Sequence, residues 1–342
     1  TAVQLDEESG VNVTQYEMKS AELSGLVKMD FLGIRNLSIL GRTVELVKKL
    51  RNIDVDILNI PLDDKKTYEM LTRGETFGCF QLGGRGMTRY LMELKPSSIH
   101  DIMAMVALFR PGPMESIPEY ITRKHDPSKI SYPDKRLEQI LEKSYGLLVY
   151  QDDVLMTAIT ISGYDWLEAD KLRKAMGKKI PEEMAAQKEK FIKGAQTHGG
   201  LSKPESEALF KLIEPFAAYG FNKAHAASYG LVAYQTAYMK ANYAVEYMAS
   251  LMTAEHFDLD KVAEAIKECK HLGIQVLPPD INESLANFTV VGDAAIRFGL
   301  LGIKNIGDAA IDAIIAERKA NGPYKSVSDL VVRLEDKYVN KK

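Results

Sequence analysis

From Asp63 to roughly Glu268 the apolar residues recur at helical spacing, and that long stretch constrains the fold more than any other feature of the chain. Ile102, Met105, Val106 and Phe109 make one such face, and Leu209, Leu212 and Ile213 another. The periodicity breaks at Arg110-Pro-Gly-Pro113, Tyr132-Pro133, Ser162-Gly163, Ile180-Pro181, His198-Gly-Gly200 and Tyr219-Gly220, where Pro or Gly ends one helix before the next begins. Successive amphipathic helices of this kind bury their stripes against one another, so a large helical domain is predicted. On either side the pattern changes. Leu26 to Leu32 alternates like a strand, with Val27, Met29 and Phe31 on one face and Leu26, Lys28, Asp30 and Leu32 on the other. Gly33 ends it, and a basic amphipathic helix follows to about Arg51. Beyond the helical stretch, Ile274–Leu277, Phe288–Val291 and Ala295–Phe298 read as short strands, with a tight turn at Gly292-Asp293. A helix is predicted from about Asp308 to Ala320. The predicted class is mainly α, with a short α/β piece at the N-terminus and a small β-rich segment near the C-terminus.

Composition narrows the function classes. The chain of 342 residues, 46% hydrophobic and 27% charged, has the make-up of a globular protein. Its apolar runs are too short for a membrane span, and no signal-peptide plan opens it. Two cysteines without a CxxC spacing imply neither a disulfide framework nor a zinc site, and a cytoplasmic home is expected. The net charge of -3 excludes a chain uniformly coated for nucleic acid. Charge is nevertheless uneven: Lys171 to Lys193 holds eight Lys or Arg against three Glu.

Four clusters have residue types that fit phosphate or nucleotide chemistry. Lys28 and Asp30, two strand positions apart, share a side; the carboxylate suits a divalent metal and the ammonium suits phosphate oxygens. An ordinary ion pair on an exposed strand is the competing reading. Leu172-Arg-Lys-Ala-Met-Gly-Lys-Lys179 places four basic side chains within seven residues. Convergence on a triphosphate and a solvated helix end with dipole-complementing cations both account for it. In Ala218-Tyr-Gly-Phe-Asn-Lys-Ala-His-Ala-Ala-Ser-Tyr-Gly230, a turn delivers Asn222, Lys223 and His225 to a helix N-terminus whose open N–H groups suit phosphate. There Tyr219 and Tyr229 offer rings for stacking, and the small residues admit either a flat base or a close helix. Gly302-Ile-Lys-Asn-Ile-Gly307 has the form of a helix-hairpin-helix turn, in which Gly302, Lys304, Asn305 and Gly307 would face a DNA phosphate. Asp152-Asp153 is read as a pair of helix-N-terminal acids, because neighbouring helical residues diverge by about 100°.

Taken in order, these stretches resemble the alpha subunits of bacterial DNA polymerase III, the C-family replicative polymerases. The matching residues are Thr14-Gln-Tyr, Gly25-Leu-Val-Lys-Met-Asp-Phe-Leu-Gly33, Phe80-Gln-Leu82, Arg85-Gly-Met87, Ala107-Leu-Phe-Arg-Pro-Gly-Pro113, Tyr145-Gly and Tyr150-Gln151. They continue through Leu172–Lys179, Tyr219-Gly-Phe-Asn-Lys-Ala-His225, Tyr234-Gln235, Leu277-Pro-Pro-Asp-Ile-Asn282 and the hairpin. The resemblance implies the end of a polymerase-β-like palm over 1–50, helical fingers over 51–272, and a β-rich connector with an incomplete tandem helix-hairpin-helix region over 273–342. It implies that Asp30 is the third of three metal-binding palm aspartates and the catalytic residue of this stretch. Lys28, Arg173, Lys174 and Lys178 then meet the incoming triphosphate; Tyr219, Asn222, Lys223, His225 and Tyr229 meet the nascent base pair. The other two aspartates, in an upstream Asp-x-Asp strand, have no counterpart here, so one ligand of a two-Mg²⁺ site is expected and the piece alone is expected to be inactive. The phosphoesterase domain, thumb, clamp-binding region and tail are likewise expected to lie outside these residues. Ala224 and Gly230 vary from the usual loop with little expected at stake.

The expected activity is DNA-directed DNA polymerisation (EC 2.7.7.7) in chromosome replication. Primer–template DNA and dNTP are the expected partners, joined in the whole enzyme by a sliding clamp, a clamp loader and a proofreading exonuclease subunit. No membrane is expected, and the location expected is the cytoplasm, at the nucleoid. That mechanism requires folding to gather Lys28, Arg173, Lys174 and the tip after Tyr219 around one polyphosphate pocket. Two other readings fit the residues: a non-catalytic DNA-binding scaffold with polymerase-like fingers, and a helical module whose basic patch meets acidic protein partners.

Overall fold

The computed structural model describes residues 1–29, 31–178 and 181–334, and the chain divides into two compact units, Thr1–Arg35 and Asn36 onward. In the first, β1 (Val3–Asp6) and β2 (Val11–Thr14) pair antiparallel, Val3 opposite Thr14 and Asp6 opposite Val11. The helix α1 (Met18–Leu23) is capped by Glu17, whose carboxylate accepts from the N–H groups of Ser20 at 2.7 Å and Lys19 at 2.9 Å. None of this unit's described residues is buried. The strand expected over Leu26–Leu32 is not formed: residues 26–29 and 31–34 join no ladder and no helix. Alternation only makes a strand where a neighbour accepts its hydrogen bonds and a core accepts its apolar face. Neither is present for this segment in its own unit, where Phe31 is 94% exposed. Asp30 lies outside the described residues.

The second unit is helical as predicted. Its helices are α2 (Arg35–Arg51), α3 (Lys65–Thr72), α4 (Arg85–Leu94), α5 (Ile99–Leu108), α6 (Ile117–His125), α7 (Glu138–Leu141), α8 (Gln151–Ser162), α9 (Trp166–Lys178), α10 (Pro181–Thr197), α11 (Lys203–Tyr219), α12 (Lys223–Asn242), α13 (Ala244–Ala254), α14 (Leu259–His271), α15 (Asp308–Asn321) and α16 (Val327–Arg333). Asp64 and Asp258 accept first-turn N–H groups of α3 and α14, and Ser98 with Asp101 forms a capping box on α5.

Three apolar cores divide the helices. One joins α3, α4, α5, α6 and the middle of α12 around Leu71, Leu91, Ile102 and Tyr234. The second joins α2, α13, α14 and the end of α12 around Val47, Tyr247 and Cys269. The third gathers α8, α9, α10 and α11 around Ile161, Leu172, Phe191 and Phe210. Buried charge locks these cores. Asp101 accepts from Lys124 Nζ at 2.5 Å, Tyr145 Oη at 3.0 Å, Tyr120 Oη at 3.2 Å and the backbone N–H of Ser97 at 2.9 Å. Lys240, fully buried on α12, donates to the carbonyls of Glu75 and Phe77, each at 2.9 Å, and to Glu268 Oε1 at 2.6 Å.

The C-terminal β residues form a three-stranded sheet in the order β3 (Gln275–Leu277), β5 (Ala295–Arg297), β4 (Thr289–Val291). β5 runs parallel to β3 and antiparallel to β4, with Val276, Ile296 and Val290 in register. A fourth small core, Leu300, Ile311, Ile314, Tyr324 and Leu334, holds the terminal hairpin.

Candidate nucleic-acid interface

Two segments meet at the tip of α12. Tyr150 and Phe221 form a parallel β-bridge, and Gln151 N–H donates to the Phe221 carbonyl at 2.9 Å. Asn222 is the N-cap: its Oδ1 accepts from His225 N–H at 2.8 Å. Asp152, at the start of α8, reaches across and accepts from Lys223 N–H at 2.9 Å through Oδ2. The helix end read from sequence as open to phosphate therefore has two of its first N–H groups already bonded to side-chain oxygens. Asp152 and Asp153 do sit in the first turn of α8 as expected, but they act in different directions. Asp153 turns inward, accepting from the N–H groups of Val149 and Tyr150, each at 2.9 Å. Burial pushes its carboxyl up to about 6, against the pull of those two bonds.

From this tip a row of rings runs along α12. Phe221, His225 and Tyr229 are spaced i, i+4, i+8, with centroid separations of 5.1 Å and 4.0 Å. Arg110, following α5, sets its guanidinium 4.6 Å over Phe221, and Phe80 stands 5.2 Å from Tyr229 at the other end. Lys223 Nζ lies 5.5 Å over the Tyr150 ring. The row is partly exposed, so its edges face solvent. Arg110, Phe221 and Phe80 were missed as site residues. The helical spacing of Phe221 was a usable signal, whereas the other two arrive only by tertiary packing.

The expectation that little rests on Gly230 is corrected. A Cβ there would stand 2.8 Å from Met103 Cγ and 3.2 Å from Met103 Cα, so the missing side chain is what lets α12 lie against α5. Ala226, one turn earlier, is fully buried in the first apolar core, while Ala224 and Ser228 are exposed.

A second cluster lies on α9, which packs against α8, α10 and α11. Asp170 is its centre. Arg173 donates Nη2 at 2.6 Å and Nε at 3.0 Å to Asp170 Oδ1, and Lys174 Nζ stands 2.7 Å from Oδ2. The carboxyl is held below its usual range, first by Lys174 and then by Arg173. Sequence reading singled out the two cations and missed the anion one turn earlier. The side chains of Lys178 and Tyr219 lie outside the described residues, and Lys28 belongs to the first unit.

The two isoleucines of the hairpin turn inward as predicted. Ile303 and Ile306 pack on the terminal core, while Lys304, Asn305 and Gly307 are exposed. Gly302, expected to face a phosphate, is instead buried, with its N–H donating to the Gly299 carbonyl at 3.1 Å and Phe298 packed so close that a Cβ would stand 2.6 Å from its Cε1. Asn305 takes a left-handed backbone, φ 65°, and Gly307 caps α15 with no side-chain bond.

The described residues contain no group of three or more His, Cys, Asp or Glu able to hold a metal ion. They do not fit a two-metal centre.

Comparison with known proteins accounts for this combination of helices, basic cluster and hairpin. Residues 36–199 match the family model of the bacterial DNA polymerase III alpha subunit finger domain, and residues 273–342 match a helix-hairpin-helix motif. The DNA polymerase III subunit alpha of Thermus aquaticus is 48% identical over 98% of this chain. That of Escherichia coli K12 is 44% identical over 98%, and that of Deinococcus radiodurans 45% over 96%. The chain belongs to the DNA polymerase III alpha family.

It spans 28%, 30% and 25% of those three relatives. The finger-domain match takes in Arg110, Asp152, Asp170, Arg173 and Lys174, and ends before the tip of α12. The hairpin and its sheet fall within the second match. Both expectations drawn from the resemblance, helical fingers and a C-terminal helix-hairpin-helix, are therefore met.

Proposed function

We propose that this chain is the nucleotide- and duplex-gripping part of a template-directed replicative DNA polymerase. Residues 1–50 would serve as the end of its palm, 51–272 as its fingers and 273–342 as connector and hairpin region. The reaction is attack of a primer 3′ hydroxyl on the α-phosphorus of a dNTP, extending the primer by one nucleotide and releasing pyrophosphate. Arg173 and Lys174, joined by Lys178, take the triphosphate and neutralise charge that grows on it. Lys223, His225, Tyr229 and Tyr219 face the nascent base pair, with Asn222 holding the helix end that presents them. Lys304, Asn305 and Gly307, on the exposed side of the hairpin, bind one DNA phosphate without reading sequence. Asp30 contributes a single carboxylate to metal chemistry whose other ligands are not among these residues. In the whole enzyme a sliding clamp, clamp loader and exonuclease complete the cytoplasmic assembly.

The observation that carries the reading is the Arg173–Lys174 pair, whose donors already grip both oxygens of one anion, in a chain of this family. Replacing Arg173 by Ala in the full-length polymerase tests it. Removing one such donor is expected to cost about 10²-fold in nucleotide incorporation, with primer–template affinity nearly unchanged. Equal losses in both would move Arg173 from the triphosphate to the DNA backbone. The chain by itself should not extend a primer, and extension by the purified chain would overturn that part.

A further inference from the structure

Asp170 lies three and four residues before Arg173 and Lys174, so all three occupy one face of α9. Its two oxygens are divided between them, Oδ1 to the guanidinium and Oδ2 to the ammonium, at 2.6 Å and 2.7 Å. The side chains stand at the surface, with 35% of Asp170 and 60% of Lys174 exposed, so the ion pairs are hydrated and weak enough to exchange. Their formal charges sum to one net positive. Arg173 commits Nε and Nη2, but a guanidinium and an ammonium carry further donors, so an incoming phosphate can engage those before the carboxylate lets go.

We infer that Asp170 is a displaceable counter-anion: its carboxylate occupies the donors of Arg173 and Lys174 that a polyphosphate takes, and recaptures them as the polyphosphate leaves. This rests on the assignment of Arg173 and Lys174 to the triphosphate and adds a residue that acts against binding rather than for it. Two consequences follow from charge alone. The empty site keeps its cations extended and paired instead of letting them fold onto unrelated acids. The departing pyrophosphate meets a competitor already in place, which lowers its hold on the site.

The single tryptophan, Trp166, opens the same helix and is 69% exposed. It lies about 10 Å from Arg173 along the axis, so its fluorescence reports binding. The experiment titrates inorganic tripolyphosphate, which does not absorb at the excitation wavelength, into wild type, Asp170→Asn, Asp170→Ser and Arg173→Ala/Lys174→Ala. Asp170→Asn and Asp170→Ser are expected to bind about two- to fivefold tighter, the range an exposed ion pair supports. The gain should vanish in about 1 M salt, where screening shortens to about 3 Å, and in a triple variant that also lacks both cations. A merely structural role for Asp170 would not produce a salt-erasable gain. Unchanged or weaker binding by both Asp170 variants, with Arg173→Ala/Lys174→Ala losing affinity, overturns the counter-anion alone. Wild-type affinity in Arg173→Ala/Lys174→Ala overturns the triphosphate assignment itself.

Discussion

Replacing Asp152 by Ala should loosen the tip of α12 without disturbing α8, because Asp152 spends its carboxylate on another helix. The bond at stake is Lys223 N–H to Asp152 Oδ2 at 2.9 Å, one of two side-chain caps on this N-terminus. Losing a cap costs about 0.5–2 kcal/mol, typically about 1. Removing an anion from a helix N-terminus adds about 0.3–1 kcal/mol. The second cap, Asn222, survives and limits the damage to one turn. A local loss of about 1–2 kcal/mol converts to exchange about 5- to 30-fold faster for the amides that open with this turn. Hydrogen exchange read by mass spectrometry on peptides spanning residues 219–226 measures it. Peptides from the interior of α8 should be unaffected, since Asp153 keeps its own bonds to Val149 and Tyr150. Asp152→Asn retains the acceptor and loses only the charge, so it should recover roughly half of the effect. Unchanged exchange across 219–226 in Asp152→Ala would refute the reasoning, because the tip would then be held by Asn222 and the Phe221 bridge alone.

Lys240→Met should lower stability by about 3 kcal/mol, the cost of stripping one partner from a buried charge cluster; a urea midpoint shift worth less than about 1 kcal/mol would mean that water replaces the ammonium. Asp153 is raised in the folded state from 3.8 to about 6, so the fold binds its proton more tightly than the unfolded chain. Its contribution is therefore fully present below about pH 4 and is lost as pH rises through about 6, a decline of about 2–3 kcal/mol. Asp153→Asn should lack that slope in paired urea titrations, and parallel slopes would count against the raised value. Lys304→Ala should weaken duplex binding equally for all sequences and reduce the salt slope by about 1; an unaltered slope would take Lys304 off the phosphate.

Much of the architecture was legible along the chain because helical periodicity is a local property. Each stripe, such as Ile102, Met105 and Val106, implies a buried face whatever lies opposite it. Pro and Gly breaks are local too, and α5, α8 and α11 end where Arg110-Pro, Ser162-Gly163 and Tyr219-Gly220 required. The hairpin was readable for the same reason, since Ile303 and Ile306 turn in and Lys304 turns out within six residues. The Leu26–Leu32 alternation misled because a strand, unlike a helix, takes its hydrogen bonds from a neighbour.

What the sequence by itself determined was which segments are helical and which residues carry cations and rings: Arg173, Lys174, Lys223, His225 and Tyr229. Only the tertiary structure decided what those groups face. Asp152 caps a helix 71 positions away, Arg110 and Phe80 close the ring row on α12, and Gly230 matters because Met103 stands against it. The physical reason is range: hydrogen-bond and ring geometry depend on separation in space, and long-range contacts bring together residues whose sequence neighbours give no sign of them.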